Sequence, residues 1–364
     1  MKAVVLVGGK ATRLEPLTIN VPKAMVPVIN TPFLEYVIRN LAGHGFKEII
    51  LALGHMSQPI QDYFMDGSRF GAKLYYSMED TPLGTAGATK KAEKYLGETF
   101  LVFNGDDFMD LDFAAMIDLH KTSGAKVTIA LTRVDDPTNY GVVETDASSR
   151  VLHFTEKPKP EEVTSNMVNA GAWLVEPEVM SRIPPETQIS FERTVFPEML
   201  ARHEPVYAYT SHGYWMDAGT PERYLLLHRD LLSGKSKQYI PARGLVGGEY
   251  TDIAPTAKVT GQVVIGANCS IGARVKITGP AVIGDGSTIM TDSVIEDSVI
   301  WKNVRIESGV HLKDSIVADS CHLISGSRGE TVVLGANVTV PGNCLLETGS
   351  RIKPGTVANT KPAS

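Results

Sequence analysis

Residues 7–27, VGGKATRLEPLTINVPKAMVP, follow directly on a short apolar run at residues 3–7 and contain two adjacent glycines near their start. An apolar, β-rich run that ends in glycines predicts a buried strand breaking into a loop at Gly8 and Gly9. Glycines also allow backbone N–H groups to come close to a bound anion. The stretch therefore predicts the first strand of a sheet with an anion-binding loop at its end.

The polar side chains of this loop favour phosphate as the anion. Thr12 offers a hydroxyl, and Arg13 and Lys23 offer two fixed positive charges. The loop is not a P-loop, because Lys10 is followed by Ala11 where that motif needs Ser or Thr, and its adjacent glycines do not fit the dinucleotide fingerprint. A strand-to-loop turn with surface charges is the alternative that the glycines alone leave open.

Length and composition limit the classes of protein that fit. With 364 residues and 39.4 kDa, the chain is long enough for two domains. The net charge of −6 gives no basic surface for nucleic acid, so we expect no nucleic-acid partner. No apolar run approaches the ~20 residues of a membrane span, so we expect no membrane partner and a cytoplasmic location. The three cysteines are far apart and are predicted to be buried thiols.

The first two thirds of the chain alternate strand and helix patterns. Residues 31–32, Thr-Pro, are predicted to start an amphipathic helix, and residues 48–53, EIILAL, to form a second buried strand. Strand, helix and strand at this spacing form a βαβ unit. We therefore expect an α/β fold, a doubly wound and mostly parallel sheet with helices on both faces.

Two further segments carry candidate ligand-binding groups after strand-like runs. Residues 79–88, EDTPLGTAGA, form a glycine-containing loop that leads into a helix, and residues 104–107, NGDD, follow the apolar run FLVF. Ligands of open parallel sheets bind beyond the carboxyl ends of the strands, so Asp106 is expected beside the Gly8 loop. For Asp106 and Asp107, capping of the next helix is the alternative.

The tail changes composition from Ile253 onward, where helix-forming residues give way to Val, Ile, Gly, Thr and Asn. Aliphatic residues recur every six positions from Ile253 to Ile295, slip by one position, and resume at Leu334 after an interruption around residues 325–331. Such a period predicts a hexapeptide solenoid in which inward aliphatic side chains stack from coil to coil.

The ordered set of motifs resembles the sugar-1-phosphate nucleotidylyltransferase family. The motifs are GGxxTRLxPLT with a later PK, the loop PLGTAGA, NGDD, Tyr-Gly, Glu-Lys-Pro, Asn-Ala-Gly and WxDxGT. Each short motif is weak alone, but together they cover residues up to about 235, and the hexapeptide tail fits the rest. Ala11 departs from the family pattern, which has Gly at this position. Glycine adopts a left-handed conformation without the strain that Ala has there.

The resemblance implies a role for each matching residue. Gly8, Gly9, Thr12, Glu79, Gly84 and Thr85 would bind the nucleotide, with Glu79 reading the base, whereas Tyr140, Gly141, Glu156, Lys157 and Asn169 would line the sugar-phosphate site. Arg13 and Lys23 would stabilise charge during phosphoryl transfer. Asp106 and Asp217 would hold Mg²⁺, a cation that one or two carboxylates and substrate phosphates can bind. These four residues form the predicted catalytic set.

The resemblance also implies the architecture and substrates. The predicted division is a nucleotidyltransferase domain at residues 1–235, of the nucleotide-diphospho-sugar transferase type, and a left-handed parallel β-helix of about six coils at residues 236–364. Within the family, the mannose-1-phosphate guanylyltransferases have this domain order and these motifs, so the resemblance implies GTP and mannose-1-phosphate as substrates. Stacked coils leave faces and ends suited to self-association, so we expect a homo-oligomer.

Three alternatives remain open from the sequence. The substrates could be glucose-1-phosphate with UTP or dTTP. The tail could add acyl transfer with His311 or His322 as base, although isolated histidines are more often structural. Finally, the chain could be a non-catalytic regulatory subunit, as translation-initiation exchange factors contain subunits with this layout. Retention of all four predicted catalytic residues argues against this last alternative.

Overall fold

The computed structural model describes residues 1–9, 11–239, 245–359 and 361–362. The chain divides into two compact units, Met1–Gly9 with Leu34–Trp215 and Lys10–Phe33 with Met216–Ser364. The division that we predict at residues 235 and 236 describes sequence modules and stays a prediction. We call residues 7–27 the signature segment. By contacts, its part after Gly9 and the helix before residue 235 group with the tail. None of the described helices is long and apolar enough to cross a bilayer.

Short strands and helices alternate through the first two thirds of the chain. The strands are β1 (Ala3–Val7), β2 (Pro27–Val28), β3 (Thr31–Pro32), β4 (Glu48–Leu53), β5 (Lys73–Met78), β6 (Phe100–Asn104), β7 (Asp107–Met109), β8 (Val127–Arg133), β9 (Gly141–Thr145), β10 (Val151–Glu156), β11 (Met167–Val175), β12 (Val206–Thr210) and β13 (Trp215–Asp217). The helices are α1 (Phe33–Gly43), α2 (Gln58–Phe64), α3 (Gly84–Lys91), α4 (Phe113–Ser123), α5 (Phe196–Ala201) and α6 (Pro221–Leu232).

The first unit is built on a mixed sheet with strand order β10-β9-β11-β6-β1-β4-β5, to which β8 and β12 add beside β11. Strands β6, β1, β4 and β5 run parallel to one another, whereas β11 pairs antiparallel with β6. The carboxyl ends of β1, β5 and β6 therefore meet at one edge, which brings Gly8, Glu79 and Asp106 to that edge. The predicted doubly wound α/β fold and the common edge are confirmed.

One predicted helix start is wrong. Thr31 and Pro32 do not begin α1 but form β3, which pairs antiparallel with Pro27 and Val28. The first helical residue is Phe33, whose backbone N–H donates to the carbonyl of Val26. A Thr-Pro pair suits a helix start and an extended strand equally, because both need the φ that proline imposes, so the hairpin partner decided the outcome.

The tail is a solenoid of very short strands. These are β14 (Leu245–Gly247), β15 (Asp252–Ile253), β16 (Lys258–Thr260), β17 (Val263–Ile265), β18 (Ser270–Ile271), β19 (Lys276–Thr278), β20 (Ala281–Ile283), β21 (Thr288–Ile289), β22 (Val294–Glu296), β23 (Val299–Ile300), β24 (Arg305–Ile306), β25 (His311–Lys313), β26 (Ile316–Val317), β27 (His322–Leu323), β28 (Arg328–Glu330), β29 (Val333–Leu334), β30 (Thr339–Val340), β31 (Cys344–Leu345), β32 (Arg351–Ile352) and β33 (Lys361–Pro362). They stack into sheets of seven, six and seven strands, parallel throughout except for β33. This is the predicted β-helix of about six coils, and its parallel sheets are consistent with the left-handed form.

The number of residues per coil changes along the β-helix, which the six-residue period in the sequence did not predict. Partners in neighbouring coils are 18 residues apart at Ile253 and Ile271 but 17 apart at Ile289 and Ile306. The middle coils lose one residue at a corner, where Asp297 and Asp314 adopt positive φ, and the spacing returns to 18 between Leu334 and Ile352. The single slip that we predict is therefore repeated from coil to coil, which keeps the inward aliphatic stack in register.

The break in the aliphatic pattern at residues 325–331 does not interrupt the solenoid, which continues through it. Gly329 lies in β28 opposite Leu312 of the preceding coil, at a position that other coils fill with an aliphatic residue. A Cβ there would lie 3.0 Å from Val332 and 3.2 Å from Leu346, so neighbouring side chains occupy the space. The cysteines follow expectation, since Cys269, Cys321 and Cys344 are buried and unpaired.

Candidate active site

The predicted site residues are divided between the two compact units. The first unit contains Gly8, Gly9, Glu79, Gly84, Thr85, Asp106, Tyr140, Gly141, Glu156, Lys157 and Asn169, and the second contains Thr12, Arg13, Lys23 and Asp217.

Gly8 and Glu79 lie side by side at the carboxyl edge of the sheet. A Cβ on Gly8 would lie only 3.0 Å from Glu79 Oε1, so glycine permits the close approach of the loop to this carboxylate. The backbone N–H of Glu79 donates to the carbonyl of Leu53, which extends the pairing of β4 and β5 by one residue. The structure thus brings the predicted phosphate loop and the predicted base-reading residue together.

The Glu79 carboxylate is held in one orientation by the loop that follows it. Its Oε2 accepts a hydrogen bond of 2.9 Å from the backbone N–H of Leu83. Burial raises the pKa of Glu79, although the bond from Leu83 and the charge of Lys91 oppose the rise. Because Oε2 is engaged by the protein, Oε1 is the oxygen presented beside Gly8.

The second predicted nucleotide loop is fixed by contacts across the first unit. Gly84 has φ of +72°, and a Cβ there would lie 2.6 Å from the carbonyl oxygen of Ile189, so only glycine fits. The Thr85 hydroxyl donates to Glu192 Oε2 at 2.6 Å and accepts from the N–H of Phe191 at 2.9 Å. The Thr85 side chain therefore holds Glu192 and Phe191 in place, and its backbone carbonyl accepts from the Thr89 hydroxyl at 2.9 Å.

Sequence reasoning missed Glu192. It lies in a π-helical turn, Phe191–Val195, and also accepts from the hydroxyl of Ser190 at 2.5 Å. Burial raises the pKa of Glu156, and the nearby charge of Glu192 raises it further, against the opposing charges of Lys157 and Arg193. No sequence signal reveals this neighbour, because π-helical turns have no distinctive residue pattern and the contact joins distant segments.

The predicted sugar-phosphate residues come together on β9, β10 and β11. Gly141 pairs with Glu156 across the antiparallel strands. Lys157 has a positive φ of 50° and donates its backbone N–H to the carbonyl of Tyr140 at 2.9 Å. Asn169 Oδ1 accepts from the indole N–H of Trp173 at 2.8 Å, so its side-chain oxygen is held by the core.

Asp106 and Asp107 have different environments. Asp106 follows β6 at the carboxyl edge and is half-buried. Asp107 is buried, and its Oδ2 accepts from the Asn104 amide at 3.2 Å. Neither caps α4, since Asp112 does so by accepting from the N–H of Ala115. The capping alternative is thus removed for both residues.

In the second unit, Asp217 lies among three cations. Its Oδ2 is 3.3 Å from Arg13 Nη2 and 3.8 Å from Arg223 Nη1, and its Oδ1 is 3.5 Å from Lys23 Nζ. The side chains of Asp217 and Lys23 are 8% and 10% exposed, whereas that of Arg13 is 59% exposed. The structure therefore brings three of the four predicted catalytic residues into one cluster and adds Arg223, which the sequence analysis did not select.

The backbone before Arg13 carries the expected strain. Ala11 has φ of 49° and ψ of 40°, the left-handed conformation that costs a residue with a Cβ more than glycine. Its carbonyl accepts from the Thr18 hydroxyl at 2.9 Å, which holds the turn. Thr12, which follows, is exposed.

Asp106 and Asp217, each within its own unit, offer the kind of donor that a hard divalent cation prefers. Both are carboxylates, and Mg²⁺ binds one or two carboxylates together with the phosphates of a substrate. Within the described residues, no group of three or more His, Cys, Asp or Glu side chains could hold a metal ion. The Asp217 carboxylate also pairs with Arg13, Lys23 and Arg223.

The two histidines considered for acyl transfer lie on the β-helix. His322 Nε2 is 2.8 Å from Glu307 Oε1, and hydrogen bonds from His322 and Ser325 lower the pKa of Glu307 to about 2. Partial burial lowers the pKa of His311, and the positive charges of Arg328 and Lys276 lower it further.

Two family models match this chain. Residues 2–234 match the family model described as Nucleotidyl transferase, and residues 246–354 match the one described as GMPPB C-terminal domain. A mannose-1-phosphate guanylyltransferase from Mycobacterium tuberculosis is 38% identical over 360 residues, covering 97% of this chain and 94% of that one. A UTP--glucose-1-phosphate uridylyltransferase from Synechocystis sp. is 35% identical over 337 residues, covering 87% of each chain.

A solved structure supports the fold of the first two thirds. The crystal structure of HddC from Yersinia pseudotuberculosis complexed with GMP-PN is 29% identical, with a TM-score of 0.54, and covers 62% of this chain and 97% of its own. Family members of this kind generally use a divalent metal with a nucleoside triphosphate and a sugar-1-phosphate. Together with the motifs and the β-helix, these matches show that the chain belongs to the nucleotidyl transferase family, as a sugar-1-phosphate nucleotidylyltransferase.

Proposed function

We propose that this enzyme transfers the guanylyl group of GTP to mannose-1-phosphate, giving GDP-mannose and pyrophosphate. The observation that carries the choice of base is the fixed orientation of Glu79, which presents Oε1 as a hydrogen-bond acceptor beside the Gly8 loop. Guanine offers a ring N–H and an exocyclic amine side by side, two donors that suit an ionised carboxylate. Uracil and thymine offer one N–H between two carbonyl groups, which a carboxylate would repel.

The reaction that we propose is a direct displacement. An oxygen of the sugar phosphate attacks the α-phosphorus of the triphosphate, the bond to the bridging oxygen breaks, and pyrophosphate leaves with that electron pair. Arg13, Lys23 and Arg223 form a cluster of positive charges around Asp217. We assign it to the phosphates, whose negative charge it would offset while their geometry changes.

Glu156 and Lys157 are assigned to the sugar phosphate, Glu156 to the hydroxyl groups and Lys157 to its phosphate. The strand pairing of Gly141 with Glu156 and the backbone bond from Lys157 to Tyr140 support this assignment by bringing the predicted residues together. Asp106 and Asp217 would hold Mg²⁺, which supplies charge neutralisation and orientation of the phosphates when bound. The assignment of both carboxylates to one ion rests on the family resemblance.

A screen of pyrophosphate release tests the function. GTP, UTP, dTTP and ATP are each paired with mannose-1-phosphate and glucose-1-phosphate, and we expect the pair of GTP and mannose-1-phosphate to give the highest kcat/KM. The similarity to the Synechocystis uridylyltransferase supports one second candidate, UTP with glucose-1-phosphate. A clear preference for that pair would replace the proposed substrates and leave the reaction class unchanged.

A further inference from the structure

Helix α6 connects the proposed catalytic cluster to the β-helix within the second unit. Arg223, near its start, reaches Asp217. Tyr224, the next residue, is 1% exposed and reaches Trp301, which lies on the β-helix and is 2% exposed. Arg229, further along the same helix, pairs with Asp314 at a corner of the β-helix at 2.5 Å. One helix thus touches a predicted metal ligand and two positions on the solenoid.

A series of buried hydrogen bonds links the β-helix, through α6, to the end of the signature segment. The indole N–H of Trp301 donates to the Tyr224 hydroxyl at 3.0 Å, and that hydroxyl donates to the backbone carbonyl of Pro27. Pro27 follows Lys23 by four residues. A buried donor or acceptor left without its partner is unfavourable, so each member of the chain constrains the next.

The hairpin that begins at Pro27 is held in an uncommon conformation. Ile29 and Asn30 have φ of 45° and 60°, and a β-branched residue rarely adopts positive φ. His228 Nε2 accepts the N–H of Ile29 at 3.1 Å, and the Asn30 amide donates to the carbonyl of Ile283 in the β-helix at 2.9 Å. Burial lowers the pKa of His228 to about 4, which keeps its ring neutral and able to accept.

The β-helix also contacts the other end of the signature segment. Arg351, in β32, donates from Nη1 to the carbonyl oxygen of Arg13 at 3.4 Å and from Nη2 to Glu222 Oε1 at 2.8 Å. The backbone of Arg13 and the hairpin after Lys23 are therefore both tied to the solenoid. These ties join residues that are up to 338 positions apart in the sequence.

We propose that Trp301, acting through Tyr224, and Arg351 are positioning residues that set the backbone carrying Lys23 and Arg13 for phosphoryl transfer. The inference rests on the proposed function of those two cations. The β-helix would then support catalysis within each chain, separately from any role in assembly. Displacing a charged group by about 1 Å can cost roughly a hundredfold in rate, so the ties should affect kcat more than substrate binding.

The test compares three variants with two controls in the full-length protein. Tyr224→Phe removes only the bridging hydroxyl, Trp301→Phe removes the indole N–H donor, and Arg351→Gln removes the guanidinium group. Val338→Ala, a buried change in the β-helix core, matches the loss of packing, and Arg274→Gln, which breaks an exposed ion pair with Asp292, matches the loss of a surface charge. Initial rates of pyrophosphate release and the exchange of backbone amides at residues 24–32 are measured.

We expect kcat to fall roughly 10- to 100-fold in Tyr224→Phe and Trp301→Phe and less in Arg351→Gln, with KM changed less than about threefold. Amide exchange at Ile29 should quicken in the first two variants, whereas both controls should keep the wild-type kcat and exchange. Because the first two variants break the same series of hydrogen bonds, the double variant should have about the same kcat as either single variant. Wild-type kcat in Tyr224→Phe and Arg351→Gln, or an equal fall in Val338→Ala, would overturn the inference.

The exchange measurement separates this inference from the proposed function. If the wild type releases pyrophosphate with no pair of substrates, the proposed function fails. The constraint that Tyr224 and Trp301 place on residues 24–32 is then tested by exchange alone. Faster exchange at residues 24–32 in Tyr224→Phe but not in Val338→Ala supports it, and identical exchange in the two overturns it.

Discussion

The substitution Glu79→Gln tests the choice of base with a defined change of one group. Glutamine keeps the shape of the side chain, and its amide oxygen can still accept the N–H of Leu83, as Glu79 Oε2 does at 2.9 Å. That bond fixes the orientation of the amide, because the NH₂ group cannot accept from Leu83. The NH₂ group would therefore replace Oε1 beside Gly8, and the presented acceptor would become a donor.

The size of the effect follows from this inversion. With Glu79, guanine meets a carboxylate that accepts its donors, whereas with Gln it meets another donor and loses at least one hydrogen bond. A polar group left unmatched costs about 1–3 kcal/mol, which corresponds to roughly a ten- to hundredfold loss of kcat/KM for GTP. UTP and dTTP should gain, because the amide can donate to a pyrimidine carbonyl that the carboxylate repels.

The assay measures kcat/KM for GTP, UTP and dTTP with mannose-1-phosphate by pyrophosphate release. Asp80→Asn is the matched control, since Asp80 is the adjacent acid, and its side chain is 97% exposed. We expect Asp80→Asn to leave the ranking of nucleotides unchanged. A wild type that prefers UTP or dTTP, or a Glu79→Gln variant with the wild-type ranking, would show that Glu79 does not read the base.

Four further predictions follow from the site and the fold. Because burial raises the pKa of Glu79, the preference for GTP should be lost as pH falls through a value above the usual range of a glutamate, and Glu79→Gln should abolish this pH dependence. Asp106→Asn or Asp217→Asn should lower kcat by orders of magnitude in a protein that circular dichroism shows to be folded, and calorimetry should detect Mg²⁺ binding only with GTP present; full activity in either variant would remove the metal assignment. Direct displacement requires both substrates, so exchange of labelled pyrophosphate into GTP without sugar phosphate would contradict the mechanism. Light scattering should show a homo-oligomer at micromolar concentration that depends on residues beyond about 236, and a monomer would refute that proposal.

Local patterns in the sequence were enough to predict the architecture. An apolar run ending in Gly8 and Gly9 indicates a strand and a loop, since a buried strand needs apolar residues and a sharp exit needs glycine. The six-residue period from Ile253 indicates a solenoid, because each coil repeats the same inward positions. Motif order identified the family, as the comparisons confirmed. Such features depend on neighbours in the chain, and the sequence displays them directly.

Local patterns failed where distant partners decide the outcome. Thr31 and Pro32 fit a helix start, yet pairing with Pro27 and Val28 makes them a strand. The shortening of the middle coils by one residue and the position of Gly329 depend on how neighbouring coils fill the interior of the β-helix. These are consequences of packing between segments, which a period in one segment does not encode.

The tertiary structure also decided what each candidate residue can do. The sequence predicted Glu79 and Thr85 as nucleotide-binding residues. Only the fold shows that Glu79 presents one oxygen because Leu83 holds the other, and that the Thr85 hydroxyl is taken by Glu192. The three cations around Asp217 and the tie from Arg351 to Arg13 likewise join residues far apart in the chain. The physical reason is that hydrogen bonds and ion pairs act over a few ångströms, so folding rather than sequence separation determines which groups meet.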